Sequence, residues 1–99
     1  MNAQCPIQEI IEVISKKWVL QIFRAITEGT DTFSGFQKKI DGINSRILSE
    51  RLTELEIHGF VERKIVCERP VKIKYLPTKK CFALVKEFER IEEVIRSWR

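Results

Sequence analysis

The sequence predicts a mainly α (α+β) domain, and three observations lead to that class. Apolar residues recur at helical spacing in five segments, two segments between residues 60 and 76 read as strands, and a Gly-centred break separates two helical segments. The chain has 99 residues with no Gly/Ser/Pro-rich linker, so one domain spanning 1–99 is expected. Its 43% hydrophobic and 32% charged residues fit a globular chain rather than a disordered one.

Following Pro6, which suits a first helical turn, Ile7, Ile10, Ile11 and Ile14 predict a short amphipathic helix to about Ser15. A second helix is expected from Lys17 or Trp18, with Trp18, Leu20, Ile22, Phe23 and Ile26 inward and a stop at Gly29. Ser34 is the expected cap of a third, short helix that buries Phe36 and Ile40 and ends at Asp41-Gly42. Asn44 or Ser45 then caps a fourth helix, 44–57, whose stripe is Ile47, Leu48, Leu52 and Leu55, closed by His58-Gly59.

Two helices joined by a tight Gly turn form a helix-turn-helix. Phe60 to Cys67 and Val71 to Leu76 predict a two-stranded hairpin after it, with Glu68-Arg69-Pro70 at the tip, so the arrangement is a winged helix-turn-helix. From Thr78 onward Cys81, Leu84, Phe88, Ile91, Ile95 and Trp98 alternate three and four residues apart, widened by Val85 and Val94. A helix of about 21 residues would run about 31 Å, more than a domain of this size needs to cover its own core. The excess apolar face of the 78–99 segment is therefore expected to meet another subunit, with Leu84, Phe88, Ile91, Ile95 and Trp98 at a homodimer interface.

Charge points to the partner. The net charge is +4, but residues 60–80 hold seven basic and two acidic residues, so the rest of the chain is slightly acidic. A basic ribbon on a neutral body suits phosphate contact, and the partner expected is double-stranded DNA with a pseudo-palindromic operator. The 44–57 helix is the expected recognition helix in the major groove, where Arg46 could contact guanine bidentately and Ser45 and Ser49 could donate to bases or phosphates. Asn44 at that helix's N-terminus, with Ser34, Lys38 and Lys39 on the preceding helix, would meet the same strand. Arg51 stands either on the groove rim or in a pair with Glu54 or Glu50. Arg63, Arg69, Lys72 and Lys74 of the wing, 61–76, are expected on the backbone or in the minor groove. The alternative reading is a winged-helix architectural or protein-interaction module that coats DNA without reading it or binds an acidic protein.

Cys5-Pro6, Lys17-Trp18, Phe33, Gly42-Ile43-Asn44, Leu48, Leu52, Leu55-Glu56, Gly59-Phe60-Val61-Glu62-Arg63, Pro70, Tyr75 and Thr78 together resemble the HxlR-type transcriptional regulators over nearly the whole chain. That resemblance implies a dimeric winged helix-turn-helix regulator whose N- and C-terminal dimerisation helices, 1–15 and 78–99, build the dimer, which adds Ile7 and Ile11 to the expected interface. The chain departs from the family's usual Gly at Lys16, Leu at Pro77, Gly at Cys81 and Ser at Asn44.

The resemblance also offers Cys5 as a redox-sensing candidate, and a thiol at a helix N-terminus would have its thiolate stabilised by the dipole. Packing at the dimer interface is the competing role for Cys5, while Cys67 and Cys81 read as small apolar fillers. One histidine and three scattered cysteines lack metal-site spacing, and His58 reads as a helix C-cap, so no metal is expected. No phosphate loop, nucleophile elbow or carboxylate pair stands out, so neither an enzyme nor a cofactor is expected. The odd, dispersed cysteines and the lack of a long apolar run suggest a cytoplasmic protein with no membrane partner.

Overall fold

The structure is a computed structural model and describes residues 6–98. Five helices and one antiparallel pair of strands follow in the order α1 (Pro6–Ile14), α2 (Val19–Thr27), α3 (Phe33–Lys39), α4 (Ser45–Ile57), β1 (Val61–Glu68), β2 (Val71–Pro77) and α5 (Lys79–Ser97). This is the winged helix-turn-helix that the patterning predicts.

The core gathers one face from most of these elements. Ile22, Phe23, Ala25 and Ile26 of α2, Phe36 of α3, Leu48, Leu52 and Leu55 of α4, Phe60, Val61 and Cys81 are all buried. Phe23 sits at their centre, its ring 5.5 Å from Phe60 and 5.9 Å from Phe88 of α5. Contacts at these separations add to the stabilisation that area burial alone supplies.

Two details of α2 and α3 differ from the sequence reading. Leu20 is 38% exposed and lines a groove against Phe82 and Val85 of α5, while Val19 takes the inward place. The 3.6-residue period is the reason, since it puts Val19, Ile22, Phe23 and Ile26 on one face and Leu20 at its edge; the helix itself begins one residue after Trp18, which is left-handed at φ 82°. The cap of α3 is Thr32, not Ser34, since the Thr32 hydroxyl accepts from the Gly35 amide at 3.1 Å. A Cβ at Gly35 would lie 2.8 Å from that hydroxyl, so the bare glycine leaves room for it.

The turn between α3 and α4 passes through Gly42 at φ +88°, a conformation that glycine adopts without strain. Asn44 then caps α4, its Oδ1 accepting from the Ile47 amide at 2.8 Å. His58 ends α4, as expected, and its Nε2 lies 3.8 Å from Glu9 Oε1 of α1.

In the wing, Glu68 pairs with Val71 across a two-residue Arg69-Pro70 turn, and Val66 is the extra residue of a bulge between Ile65 and Cys67. The tip reaches beyond the core, so Ile65, Val66 and Val71 are all exposed. At its root the wing is anchored, because the Tyr75 amide donates to the Asp31 carbonyl at 2.8 Å and the Tyr75 ring meets Phe36 edge-on. Pro77 closes β2 and Thr78 caps α5, its hydroxyl also donating to the Gly59 carbonyl at 2.6 Å. No helix among the described residues is long and apolar enough to cross a membrane.

Candidate nucleic-acid interface

The inward stripe of α4 fixes what the helix presents outward. With Leu48, Leu52 and Leu55 buried, a 3.6-residue period places Arg46 and Glu50 directly opposite the core and Ser45 and Ser49 on one flank. Asn44, Ser45, Arg46, Ser49 and Glu50 are all exposed. Arg46 Nε lies 3.3 Å from Glu50 Oε2, and with 87% of its side chain accessible this pair is solvated and contributes little to stability. Glu50 was not among the expected site residues; the helical period that picks out the leucines was the signal for it.

Arg51 turns away from that surface. Its Nη1 binds Glu54 Oε1 at 3.2 Å, its Nε donates to the Lys17 carbonyl at 3.1 Å, and only 17% of the side chain is accessible. Lys16 contacts the other Glu54 oxygen. This cluster, with Lys16 as a member, joins α4 to the corner between α1 and α2.

On α3, Ser34 and Lys38 are exposed, and Lys39 lies 3.7 Å from Glu28 of the α2 end. The β register sorts the basic residues of the wing. Directly paired residues share a face, so Lys64 and Lys74 stand together while Arg63 lies on the opposite face with Tyr75. Alternation puts Lys72 on the Lys74 side, and Arg69 forms the tip. Four expected wing residues are therefore divided, and Lys64, absent from the expected set, joins Lys72 and Lys74. Like charges directly across a sheet repel. Here Lys74 is countered by Asp31 at 3.1 Å and Lys64 by Glu62 at 3.8 Å.

The apolar residues expected at a subunit contact are also divided. Ile7 (67% exposed), Ile11, Ile91, Ile95 and Trp98 (75%) point to solvent, whereas Leu84 and Phe88 are half-buried against the chain's own core. Phe82 and Val94 extend the exposed set on α5.

Cys5 lies outside the described residues. Cys81 is fully buried, and that burial pushes its thiol up to about 11. Cys67 is half-buried in the wing, with its sulfur 3.7 Å from the Arg69 carbonyl. Among the described residues no cluster of three or more His, Cys, Asp and Glu could hold a metal ion.

Residues 13–99 match the family model described as HxlR-like helix-turn-helix. The uncharacterized HTH-type transcriptional regulator YvaP of Bacillus subtilis is 35% identical over 98 residues, which covers 98% of this chain and 91% of that protein. The HTH-type transcriptional regulator YodB of the same organism is 33% identical over 92 residues, covering 92% of this chain and 82% of YodB. Among solved structures, diamide-treated YodB superposes with a TM-score of 0.80 at 31% identity, covering 93% of this chain and 92% of that one. The reduced form of the redox regulator HypR superposes with a TM-score of 0.71 at 28% identity, covering 95% and 89%. A family model over most of the chain, two relatives matched over most of their length and a shared winged fold lead to one conclusion: the chain is a transcriptional regulator of the HxlR family and not an enzyme.

Proposed function

We propose that this regulator acts as a homodimer that reads a pseudo-palindromic site in double-stranded DNA, with α4 in the major groove and the wing on the backbone or in the adjacent minor groove. The observation that carries the reading is the outer surface of the first two turns of α4, where exposed hydrogen-bonding side chains stand on a helix capped by Asn44. A helix-turn-helix uses the N-terminal part of its second helix to read base edges. Asn44, Ser45, Arg46 and Ser49 serve that role, and Ser34, Lys38, Lys39, Arg63, Arg69, Lys72 and Lys74 are the supporting contacts, with phosphates as the partners of the lysines. The dimer buries the exposed apolar faces of α1 and α5, which a monomer would leave in water.

Control by oxidants or electrophiles acts through Cys5. Support comes from the relatives: YodB has been solved diamide-treated and quinone-bound, and HypR is a redox regulator. Diamide oxidises thiols, quinones add to them, and reactivity requires thiolate character and access.

The test is selection of genomic fragments under excess random DNA and polyanion. A surviving complex with two half-sites about 34–36 Å apart, or a multiple of that, is expected. If every complex yields to the competitor, the chain is a non-specific or protein-binding module. Cys5→Ser should keep its DNA when diamide releases the unsubstituted protein, and release of both removes the thiol from the account.

A further inference from the structure

Resting on the placement of α4 in the major groove, we propose that Glu50 is a base-specificity residue that accepts a hydrogen bond from a cytosine N4 amino group. Glu50 lies nearly opposite the buried leucines, closer to the centre of the outward face than Ser45 or Ser49. A carboxylate there repels phosphate, so it weakens indiscriminate binding while it selects.

The α4 glutamates differ in what holds them. Glu54 is half-buried and joins Lys16 and Arg51 across the α1–α2 corner. Glu50 contacts only the solvated Arg46 among the described residues, and arginine preceding glutamate by four residues is the weaker order for such a helix pair. Stabilising the helix is thus a small part of what this pair can do. The contact engages Arg46 Nε and Glu50 Oε2, so it leaves the two Nη groups of Arg46 for a guanine edge and Oε1 of Glu50 for a donor.

The major groove offers a carboxylate two kinds of donor, the amino groups of cytosine and adenine. Adenine places its N7 acceptor beside that amino group, where an anion is repelled, whereas the amino group is the only polar group on the cytosine edge. Guanine and thymine present acceptors alone. Cytosine is the base that Glu50 fits, next to a guanine read by Arg46.

Selection from duplexes randomised across a half-site, run in parallel on the unsubstituted protein, Glu50→Ala and Glu50→Gln, tests this. The unsubstituted protein should require cytosine at one position per half-site, with other bases there bound roughly 5- to 150-fold more weakly. Glu50→Ala should lose that preference while keeping the rest of the motif. Glu50→Gln should move it toward adenine, whose N6 and N7 suit an amide. A motif that Glu50→Ala reproduces at every position overturns the assignment of Glu50 alone. If the unsubstituted protein selects no common sequence, the DNA-reading function falls and Glu50 with it.

Discussion

The guanidinium of Arg51 leaves α4 to donate to the Lys17 carbonyl at 3.1 Å, tying the helix that faces outward to the corner where α1 meets α2. A charged donor with little accessible surface leaves a costly gap when removed. Arg51→Ala should therefore lower stability by about 1–3 kcal/mol, which for a domain of this size is a fall in Tm of roughly 4–8 °C for each kcal/mol. Arg51→Lys should recover only part of it, since one ammonium cannot meet both Glu54 and the carbonyl with the fork of a guanidinium. Thermal unfolding of the three proteins decides, and an unchanged Tm in Arg51→Ala removes the tie.

Burial of Cys81 makes stability fall at high pH. Its thiol is raised from an ordinary 9.0 to about 11 because no part of the side chain reaches water. Between those values the unfolded chain has lost the proton and the folded one keeps it, so the unfolded state is favoured as pH rises. The contribution is complete below about 9 and is lost by about 11, on the order of 3 kcal/mol in all. Denaturant titrations of the unsubstituted protein and Cys81→Ala across that range should converge, and parallel curves would contradict it. At neutral pH a thiol reagent should label Cys67 in the wing and spare Cys81.

Where one residue type could do only one thing, the sequence was readable. Leu48, Leu52 and Leu55 had to be the inner face of α4, and Phe36 had to be the buried side of α3. Where two neighbours were chemically equivalent, geometry decided. Thr32 and Ser34 can both cap, and the hydroxyl that reaches the Gly35 amide settles it. Val19 and Leu20 are both apolar neighbours, and the helical period gives the inward place to Val19, while the Val66 bulge and strand register divided Arg63 from the wing lysines. For the candidate site, Arg46 and the wing lysines were visible as charge, but Glu50 was hidden by its sign. A carboxylate repels phosphate, so positive charge does not mark it.

The apolar faces of α1 and α5 give a prediction on assembly. Ile91 is 53% exposed, so aspartate there leaves the chain's own core intact while placing a charge in the proposed subunit contact. Ile91→Asp should sediment as a folded monomer where the unsubstituted chain sediments as a dimer, and it should lose DNA affinity because each half-site is then held singly. A dimeric Ile91→Asp would place the contact elsewhere.

Arg46 and Lys72 separate reading from holding. Arg46 stands opposite the α4 core, so Arg46→Ala should cost about 1–3 kcal/mol on the selected site and relax its guanine preference. Lys72 is exposed in the wing on the face shared by Lys64 and Lys74. Lys72→Ala should weaken every sequence alike and reduce the slope of log affinity against log salt by about 1. Fluorescence anisotropy on the selected site and a scrambled one, at several salt concentrations, measures both effects. If Arg46→Ala weakens the two duplexes equally and changes the salt slope as Lys72→Ala does, Arg46 holds phosphate rather than base, and the reading face of α4 lies with its remaining side chains.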